Sequence, residues 1–402
     1  MHNIRNFASN DFDKHLELSE YAFQYALDDE KREHARKRFK PEKWLACFQD
    51  DRLLSQMHLI DLDMYIQGVP LAMGGVASVS TWPEARRKGL VADMLVRALE
   101  LMKERGQTIS ALAPFSFGFY RKYGWEMYAE RKSYVIPTAK LPRRQDVPGS
   151  VRRVQALEHL DELDAMYTAY AARYNGTLKR TTDWWKNVTL SHKNEHSAIY
   201  YTDAGEPGGY LRYRIQDREM TIVEWVYVNE QAFRGLWSFV GQHDSMLERV
   251  KLIAPPDDPL PYLLDDPRVT HEVVPYFMAR IVDVAPFIGL YAFSPNAARP
   301  EKTELLLEVQ DTYAPWNEGI WRLSVGRDGL GELVRLADER ESADSGGTAK
   351  LTCGINDLTA MLLGHIQPAA LHAHGRIGGD SAAAEELSSL IPRRSTYLMD
   401  FF

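Results

Sequence analysis

The apolar residues in the first third of the chain change their spacing near residue 80. Strand-like runs cover 44–48, 53–65 and 71–79, and a helical stretch over 13–38 precedes them. From residue 90 onward the apolar positions recur with helical spacing, and this face comprises Leu90, Val91, Met94, Leu95, Ala98, Leu99 and Met102. The pattern predicts a buried strand that Pro83 ends, then a turn, then a helix from Leu90.

The predicted turn carries three cations, Arg86-Arg87-Lys88, directly before Gly89. Positive charge at a helix N-terminus opposes the helix dipole, so its presence there needs a physical reason. Unpaired backbone amides at 87–91, the dipole and the three cations all favour a bound anion, and Gly89 allows close approach of the backbone. We interpret the unit as a strand–turn–helix cradle for a diphosphate. A surface helix that simply begins with Arg and Lys near a Gly is the alternative.

A second apolar run over 108–112 leads into an aromatic segment over 114–126. This segment contains Phe115-Ser116 and Phe119-Tyr120, and Glu126 opens a further strand that extends to residue 136. Tyr120 is a candidate for acid–base chemistry because a phenol keeps its proton at neutral pH and can donate it. The alternative is a core aromatic, since most of the 20 tyrosines must be structural.

Residues 150 to 285 repeat the order of elements of the first unit. A helix over 157–174 precedes strands over 197–202, 210–216 and 220–228, and a helix over 231–250 follows them. Ala232-Phe233-Arg234-Gly235 is a poor substitute for the cationic turn, so we expect no second anion cradle. Residues 253–266 are rich in Pro and Asp and predict a loop.

After residue 284 the pattern changes to short strands, predicted over 291–293, 303–309, 319–325 and 349–353. Helices are predicted over 354–363 and 381–390. The chain ends in Phe401-Phe402, and an aromatic terminus of this kind is expected to dock rather than fray. Trp321, Leu330, Leu333 and Leu336 could line a lipid tunnel, but ordinary core packing is the favoured explanation.

The composition of the chain excludes several classes of function. A chain of 402 residues suggests two or three domains, and its net charge of −8 argues against nucleic-acid and anionic-membrane partners while suiting a cationic substrate. There is no run of eighteen apolar residues and no apolar leader, so we expect neither a membrane span nor secretion. Cys47 and Cys353 are far apart and have no nearby His, which fits a reducing cytoplasm, buried inert thiols and no metal site.

The whole chain resembles the Eis (enhanced intracellular survival) family of bacterial GNAT acetyltransferases. The resemblance rests on the turn at 86–89, the Phe119-Tyr120 segment, the segment 275–284, the overall length and the aromatic C-terminus. It implies an α/β (α+β) fold with two tandem GNAT folds and a sterol-carrier-protein-like α+β domain. The corresponding ranges are 1–145, 146–285 and 286–402, and the second range lacks the cofactor motif. The resemblance also implies acetyl-CoA as donor, no metal and assembly as a homo-hexamer.

The resemblance implies a role for each matching residue. The donor would be held by the strand end, the turn, the first turn of the helix and the aromatic segment, that is by Val79, Ser80, Thr81, Arg86, Arg87, Lys88, Gly89, Leu90, Val91, Ala92, Phe115 and Ser116. Tyr120 would protonate the departing thiolate. The terminal carboxylate of Phe402 would act as general base, although its reference pKa of about 3.5 leaves a purely electrostatic role open. Asp400 would add negative charge for a cationic substrate.

The acceptor is the least defined part of the prediction. The family acetylates several amines of aminoglycosides, so the leading hypothesis is direct transfer in a ternary complex to a polycationic small molecule. Protein lysines or polyamines are the second hypothesis, and a non-catalytic lipid-binding or scaffold protein is the third. Asp28, with Phe23, Tyr25, Asp29 and Glu30, could form an acidic and aromatic pocket wall. These residues are explained equally well as a solvated helix face with core aromatics.

Overall fold

Two β-sheets organise the chain, which a computed structural model describes at residues 2–192, 194–298, 301–337 and 348–402. The larger sheet contains β1 Asn3–Asn6, β2 Trp44–Gln49, β3 Arg52–Ile66, β4 Val69–Thr81, β5 Ile109–Leu112, β6 Glu126–Pro137, β7 Ser150–Val154, β8 Leu178–Lys179, β9 His196–Tyr201, β10 Pro207–Gln216, β11 Glu219–Tyr227, β12 Arg249–Ala254 and β13 Thr270–Ile281. The smaller sheet contains β14 Lys302–Gln310, β15 Gly319–Gly326, β16 Gly331–Arg335, β17 Lys350–Gly354 and β18 Gly378–Gly379.

The helices pack on the faces of these sheets. They are α1 Phe12–Phe23, α2 Asp29–Arg38, α3 Leu90–Glu104, α4 Phe117–Arg121, α5 Leu160–Ala171, α6 Thr182–Trp184, α7 Glu230–Gly241, α8 Val284–Leu290, α9 Ile355–Leu362, α10 Pro368–Ala373 and α11 Ser381–Leu390. None of the helices in these described ranges is long and apolar enough to cross a membrane.

A strand exchange joins the first two thirds of the chain into one continuous sheet. The strand order is β1-β2-β3-β4-β5-β13-β6-β12-β11-β10-β9-β7, so β13 lies between β5 and β6 and pairs antiparallel with both. Each half contains one parallel pair, β4 with β5 and β11 with β12. The two halves are therefore similar units, and each receives one strand from the other half of the chain.

The helix predicted after the cationic turn forms as α3. Leu90, Met94, Leu95, Ala98, Leu99 and Met102 are buried against the sheet, and Val91 is half-buried. The helical stretch predicted over 13–38 is two helices, because Gln24 adopts a left-handed conformation with a φ of 56° and ends α1. The side chain of Asp28 then caps α2 by accepting a hydrogen bond from the Lys31 amide.

Two sequence predictions beyond residue 230 were wrong, and one strand was not predicted. The helix predicted over 231–250 ends at Gly241, and the buried alternate residues Val250, Leu252 and Ala254 lie in β12. The loop predicted over 253–266 begins after Ala254, where β12 ends, and the strand not predicted is β13, whose N-terminal half is exposed. The strand predicted over 291–293 is only an isolated bridge between Ala292 and Leu330.

One apolar core joins the first and last parts of the chain. It combines side chains of β3, β4, β5 and β13 with those of the smaller sheet and its helices, including Met73, Ile109, Phe277, Leu307 and Leu358. Trp321 and Leu333 belong to this core, whereas Leu330 is exposed. Cys47 and Cys353 are both buried and unpaired, as expected.

Candidate active site

The central feature of the site is a gap in the larger sheet where β4 and β5 separate. Their parallel pairing runs from Met73–Ile109 to Val76–Leu112, and β4 continues alone on that edge to Thr81. The pairing of β4 with β3 shifts by one residue in the same stretch, and Ser78 has a φ of 51°. This β-bulge re-aims the backbone, and the edge of 77–81 that faces the gap has no pairing with β5.

The end of β4 is held in place by β3. The Ser55 hydroxyl donates to the Ser80 carbonyl at 2.9 Å and lies 2.7 Å from the Thr81 hydroxyl. Ser80 is buried, whereas Val79 and Thr81 are half-buried beside the gap. The three strand-end residues that the resemblance assigns to the donor therefore form one wall of the gap.

The N-terminus of α3 is open at the next position along the chain. Gly89 is the N-cap with a φ of 80°, it makes no side-chain capping bond, and a Cβ at this position would meet open space. The first intrahelical bond runs from the Asp93 amide to the Gly89 carbonyl, which leaves the amides of Leu90, Val91 and Ala92 free for another acceptor. The matching helix of the second unit, α7, is closed, because the Asn229 side chain caps the Ala232 amide at 2.8 Å.

The cations of the turn are exposed around this helix end. Arg86 Nε donates to the Thr81 carbonyl at 3.4 Å, which ties the turn to the end of β4. Arg87 and Lys88 are exposed and form no ion pair with any residue that the structure describes. Free cations, free amides and the helix dipole together fit a diphosphate, so the residues present match the donor that the sequence predicts.

Tyr120 lies on α4, a short helix that follows β5. The Ser116 side chain caps this helix by accepting a hydrogen bond from the Phe119 amide at 3.4 Å. Tyr120 is buried, and burial raises the pKa of its hydroxyl well above the ordinary value. Within the described parts of the chain no group forms a hydrogen bond with this hydroxyl. The phenol therefore keeps its proton and has it available to donate.

Apolar packing brings three of the predicted site elements together. One cluster contains Tyr120 from α4 and Leu90 from α3, with Val79, Val91 and Ala92 packed against it. Phe115 is exposed, and its ring lies 5.1 Å from that of Phe119 and 5.3 Å from that of Tyr120. The strand end, the helix N-terminus and Tyr120 therefore line the same side of the gap.

Phe402 approaches β4 from the opposite face. A Cβ on Gly75 would lie 2.9 Å from the Phe402 ring, whereas one on Gly74 would meet Met102 of α3. The Phe402 ring also packs against Phe277 of β13 at 4.9 Å. Because Gly75 is one residue before the separation of β4 and β5, the chain terminus and the Tyr120 side flank the gap from its two faces.

The two predicted substrate carboxylates are placed differently from each other. Asp400 is buried and faces protein donors: Arg180 Nε and Trp184 Nε1 reach its Oδ1 at 2.9 and 2.8 Å, and the Tyr167 hydroxyl lies 3.1 Å from Oδ2. Asp28 is exposed and ion-paired with Lys31 at 2.7 Å. The Asp400 carboxylate is therefore hydrogen-bonded to other side chains of the protein, whereas the Asp28 carboxylate faces water.

Several residues of this site carried no sequence signal. Ser78 is one, although a strand that must bend beside a gap is the usual place for a bulge. Arg131, Arg180, Trp184 and Tyr276 are others, since they act on the chain terminus from more than a hundred residues away. No cluster of three or more His, Cys, Asp or Glu that could hold a metal occurs in the described ranges.

Comparison with known proteins divides the chain in the same way as its architecture. Models of an acetyltransferase (GNAT) domain match residues 3–128 and again 176–281, and a sterol carrier protein domain matches 284–399. An uncharacterized N-acetyltransferase of Streptomyces avermitilis is 24% identical over 379 residues, which is 88% of this chain and 87% of the relative. The N-acetyltransferase Eis of Mycobacterium tuberculosis is 28% identical over 226 residues, which is 52% of this chain and 55% of Eis.

The chain belongs to the Eis family of GNAT N-acetyltransferases. A crystal structure from Enterococcus faecalis V583, described as a probable N-acyltransferase, superposes with a TM-score of 0.90 at 29% identity over the full length of both chains. Eis1 from Mycobacterium abscessus superposes with a TM-score of 0.81 at 20% identity, again over both full chains, and supports the fold alone. The predicted family and the predicted order of two GNAT folds and a sterol-carrier-like domain are confirmed, and this Eis-family protein is an acyltransferase.

Proposed function

We propose that this Eis-family protein is an acetyl-CoA-dependent N-acetyltransferase that modifies amines of polycationic small molecules by direct transfer in a ternary complex. The observation that carries the proposal is the gap beyond Val76, with an uncapped helix N-terminus and Tyr120 on one face and Phe402 on the other. Aminoglycosides acetylated at more than one amine are the acceptors that the family resemblance favours.

The donor would lie along the first face of the gap. The free amides at 90–92 and the cations Arg86, Arg87 and Lys88 would hold its diphosphate. The backbone of 79–81, beyond the end of the β4–β5 pairing, would hold the pantetheine arm together with Phe115 and Ser116. The donor would supply an activated acetyl group on sulfur, whose transfer requires a proton on the departing sulfur.

The two faces of the gap supply the two proton-transfer groups. An acceptor ammonium must lose a proton before its nitrogen can form the new bond to the acetyl carbon. The Phe402 carboxylate would take that proton directly, or would hold the ammonium while water takes it. Tyr120 would return a proton to the sulfur as the carbon–sulfur bond breaks, because burial keeps its hydroxyl protonated and no described residue forms a hydrogen bond with it. No covalent enzyme intermediate is needed, since donor and acceptor meet across the gap.

A polycation is the favoured acceptor for two physical reasons. The protein carries a net charge of −8, which attracts cations at long range. Three aromatic rings of α1 and the segment after it are exposed, those of Tyr21, Phe23 and Tyr25, and the Tyr21 ring lies 4.9 Å from that of Trp82, directly after β4. Aromatic faces attract ammonium groups, and exposed Asp28 adds a carboxylate to the same segment. Protein lysines and polyamines satisfy the same chemistry and remain the second hypothesis.

The proposal includes the domain division and the assembly. We place a catalytic GNAT domain at 1–145, a GNAT-like domain without the cofactor turn at 146–285 and a sterol-carrier-like domain at 286–402. The closed N-terminus of α7 supports the lack of a donor site in the second domain. A homo-hexamer is the assembly that the family resemblance favours, and the two unpaired cysteines favour a cytoplasmic location.

Thiol release from acetyl-CoA tests the proposal. Wild-type protein and Tyr120→Phe would be compared with a panel of aminoglycosides, polyamines and lysine peptides. We expect rapid release with aminoglycosides, beyond one equivalent per acceptor, and a loss of about a hundredfold in Tyr120→Phe. Release with peptides or polyamines alone would support the same transfer reaction but identify protein lysines or polyamines as the acceptors. A protein that binds no acetyl-CoA would favour the scaffold hypothesis.

A further inference from the structure

The last three residues of the chain are attached to the second GNAT-like domain by a buried carboxylate. Asp400 lies two residues before the terminus, and its side chain is 3% exposed. It receives hydrogen bonds from Arg180 and Trp184, and the Tyr167 hydroxyl lies beside its second oxygen. Arg180 and Trp184 flank the start of α6, and Tyr167 belongs to α5, so all three partners come from the middle of the chain.

Arg180 connects this carboxylate to a larger charged cluster. Its two terminal nitrogens bind both oxygens of Glu224 on β11 at 2.9 and 3.0 Å, while its Nε binds Asp400. Glu224 also binds Arg212, which pairs with Glu195 at the far end. Burial lowers the pKa of the Arg180 guanidinium, but Asp400 and Glu224 outweigh this and raise it. The cluster therefore holds three carboxylates and two guanidinium groups in fixed positions.

The backbone around Asp400 is held as firmly as its side chain. The Tyr276 hydroxyl donates to the Asp400 carbonyl at 2.8 Å, and Arg131 donates to the Met399 carbonyl at 2.9 Å. The Arg131 guanidinium also lies 3.3 Å from the centre of the Tyr276 ring. Further back, the Tyr397 amide donates to the Asn175 carbonyl. The terminal segment therefore has its direction fixed before it reaches the gap.

Stability alone is a poor explanation for so many buried charges. Desolvation of ion pairs consumes most of their Coulombic gain, so apolar residues of similar volume stabilise a core as well or better. What a bidentate guanidinium does supply is geometry, since its planar fork fixes the partner carboxylates in distance and angle. In this protein the geometry that is fixed is that of the segment ending in Phe402.

We propose that Arg180 is a positioning residue that acts through Asp400 to place the terminal carboxylate of Phe402 at the gap between β4 and β5. The second GNAT-like domain thereby serves the reaction of the first as a platform for the chain terminus. The inference rests on the proposed function, in which the Phe402 carboxylate receives the proton of the acceptor amine. Asp400 accordingly acts on the terminus and not on the substrate.

The test compares Asp400→Asn with Glu195→Gln as a matched control. Both changes neutralise one carboxylate of the same cluster, but only Asp400 is connected to the terminus. We expect Asp400→Asn to lower kcat between about tenfold and about a hundredfold with little change in the KM for acetyl-CoA, because a displaced catalytic group loses rate rather than donor binding. Glu195→Gln should keep the wild-type kcat. Equal losses in both variants, in step with their melting temperatures, would overturn the proposal.

Deletion of Phe402 separates the positioning role from the proposed function. If the carboxylate takes part in the reaction, the deletion lowers kcat by itself, and adding Asp400→Asn to it should lower kcat no further. Full additivity of the two losses would overturn the positioning role while keeping the terminal carboxylate in the reaction. Unchanged turnover after the deletion would overturn both. Arg180→Lys should fall between wild type and Asp400→Asn, because lysine restores the charge without the bidentate fork.

Discussion

Two residues in the turn before α3 adopt left-handed backbone conformations, Arg87 with a φ of 61° and Gly89 with a φ of 80°. Such a conformation costs a non-glycine residue roughly 1–2 kcal/mol. The turn therefore stores strain at Arg87, where a charged side chain occupies a position that suits glycine better. Strain of this kind is found where a backbone must point its amides at a ligand.

Gly89→Ala measures the conformational cost directly, because its new Cβ would meet open space. We expect the free energy of unfolding to fall by roughly 1 kcal/mol, from the left-handed φ alone. Gly241→Ala is the control, since this helical glycine also has open space around it but no left-handed φ. That variant should be as stable as wild type or slightly more stable in urea denaturation. Equal stability of the two variants would contradict the prediction.

His58 predicts how stability responds to acid. Its ring stacks on that of Trp44 at 4.4 Å, and it faces His15, Lys43 and Asp61. Burial, with the nearby positive groups, lowers the pKa of His58 from 6.5 to about 4. The unfolded chain takes up a proton in that window and the folded chain does not, so stability is present above pH 6.5 and falls towards pH 4.

The shifted pKa of His58 lowers the free energy of unfolding by about 3 kcal/mol between pH 6.5 and pH 4. We expect His58→Gln to be less stable than wild type at neutral pH, from lost stacking, but to show a shallower loss on acidification. Replacement of exposed His192 by Gln is the control and should leave the wild-type slope. The measurement is the free energy of unfolding at several pH values, and parallel curves for His58→Gln and wild type would contradict it.

At the scale of elements, sequence reasoning succeeded where the signal was local. The helical face from Leu90 to Met102, the turn before it and the aromatic segment of α4 each show in a few consecutive residues. The helical spacing of apolar residues, the glycine before a helix and the residue that caps it can all be recognised within a short segment. The relation of Asp400 to Arg180 depends on a contact across 220 residues, so it had no local signal.

Sequence reasoning failed where tertiary pairing decides the element. The strand β13 has an exposed first half, with buried residues only from Phe277 to Ile281. It forms a strand because β5 and β6 leave a place between them, which periodicity does not register. The sequence pattern also did not predict β12. A polar stretch after Gly241 separates this strand from α7, and its alternation of buried and more exposed residues is only six residues long.

The N-terminus of α3 leads to a prediction about donor binding. Arg87→Ala keeps the left-handed strain but removes an exposed charge beside the free amides. We expect the KM for acetyl-CoA to rise about threefold to tenfold with kcat nearly unchanged, because an exposed ion pair contributes only about 1 kcal/mol. Arg97→Ala removes a half-buried cation further along the same helix. It is the control and should leave both constants unchanged. A fall in kcat at constant KM would place the diphosphate elsewhere.

At the scale of the whole molecule, the three parts of the chain share structure that none of them has alone. Strand β6 from the first part of the chain pairs with β12 of the second, and β13 from the second part pairs with β5 of the first. The sterol-carrier-like part completes the core that β4, β5 and β13 begin. Buried Arg280 of β13 also pairs with Asp311 and donates to the Tyr123 carbonyl, which links the third part to the segment after α4.

This shared core predicts that the protein unfolds as one unit. A chain of residues 1–285 would expose Phe277, Ile281 and Val284, which are fully buried in the intact protein, and would leave Arg280 without Asp311. Removing one partner of a buried ion pair costs about 3–5 kcal/mol even before the apolar loss is counted. We therefore expect 1–285 to aggregate or to lack a cooperative transition, whereas the full chain shows one transition by near- and far-ultraviolet circular dichroism.

Deletion of Phe401 and Phe402 is the control that separates folding from activity. Phe401 is exposed and Phe402 is a half-buried ring at the edge of the shared core, so their loss leaves the fully buried residues of that core in place. That variant should keep the melting transition of the full chain within a few degrees and lose acetyl transfer, because the Phe402 carboxylate proposed as the base is removed. A soluble 1–285 fragment with its own sharp transition would show that the first two domains fold without the third. In that case the third domain would serve only to deliver the chain terminus.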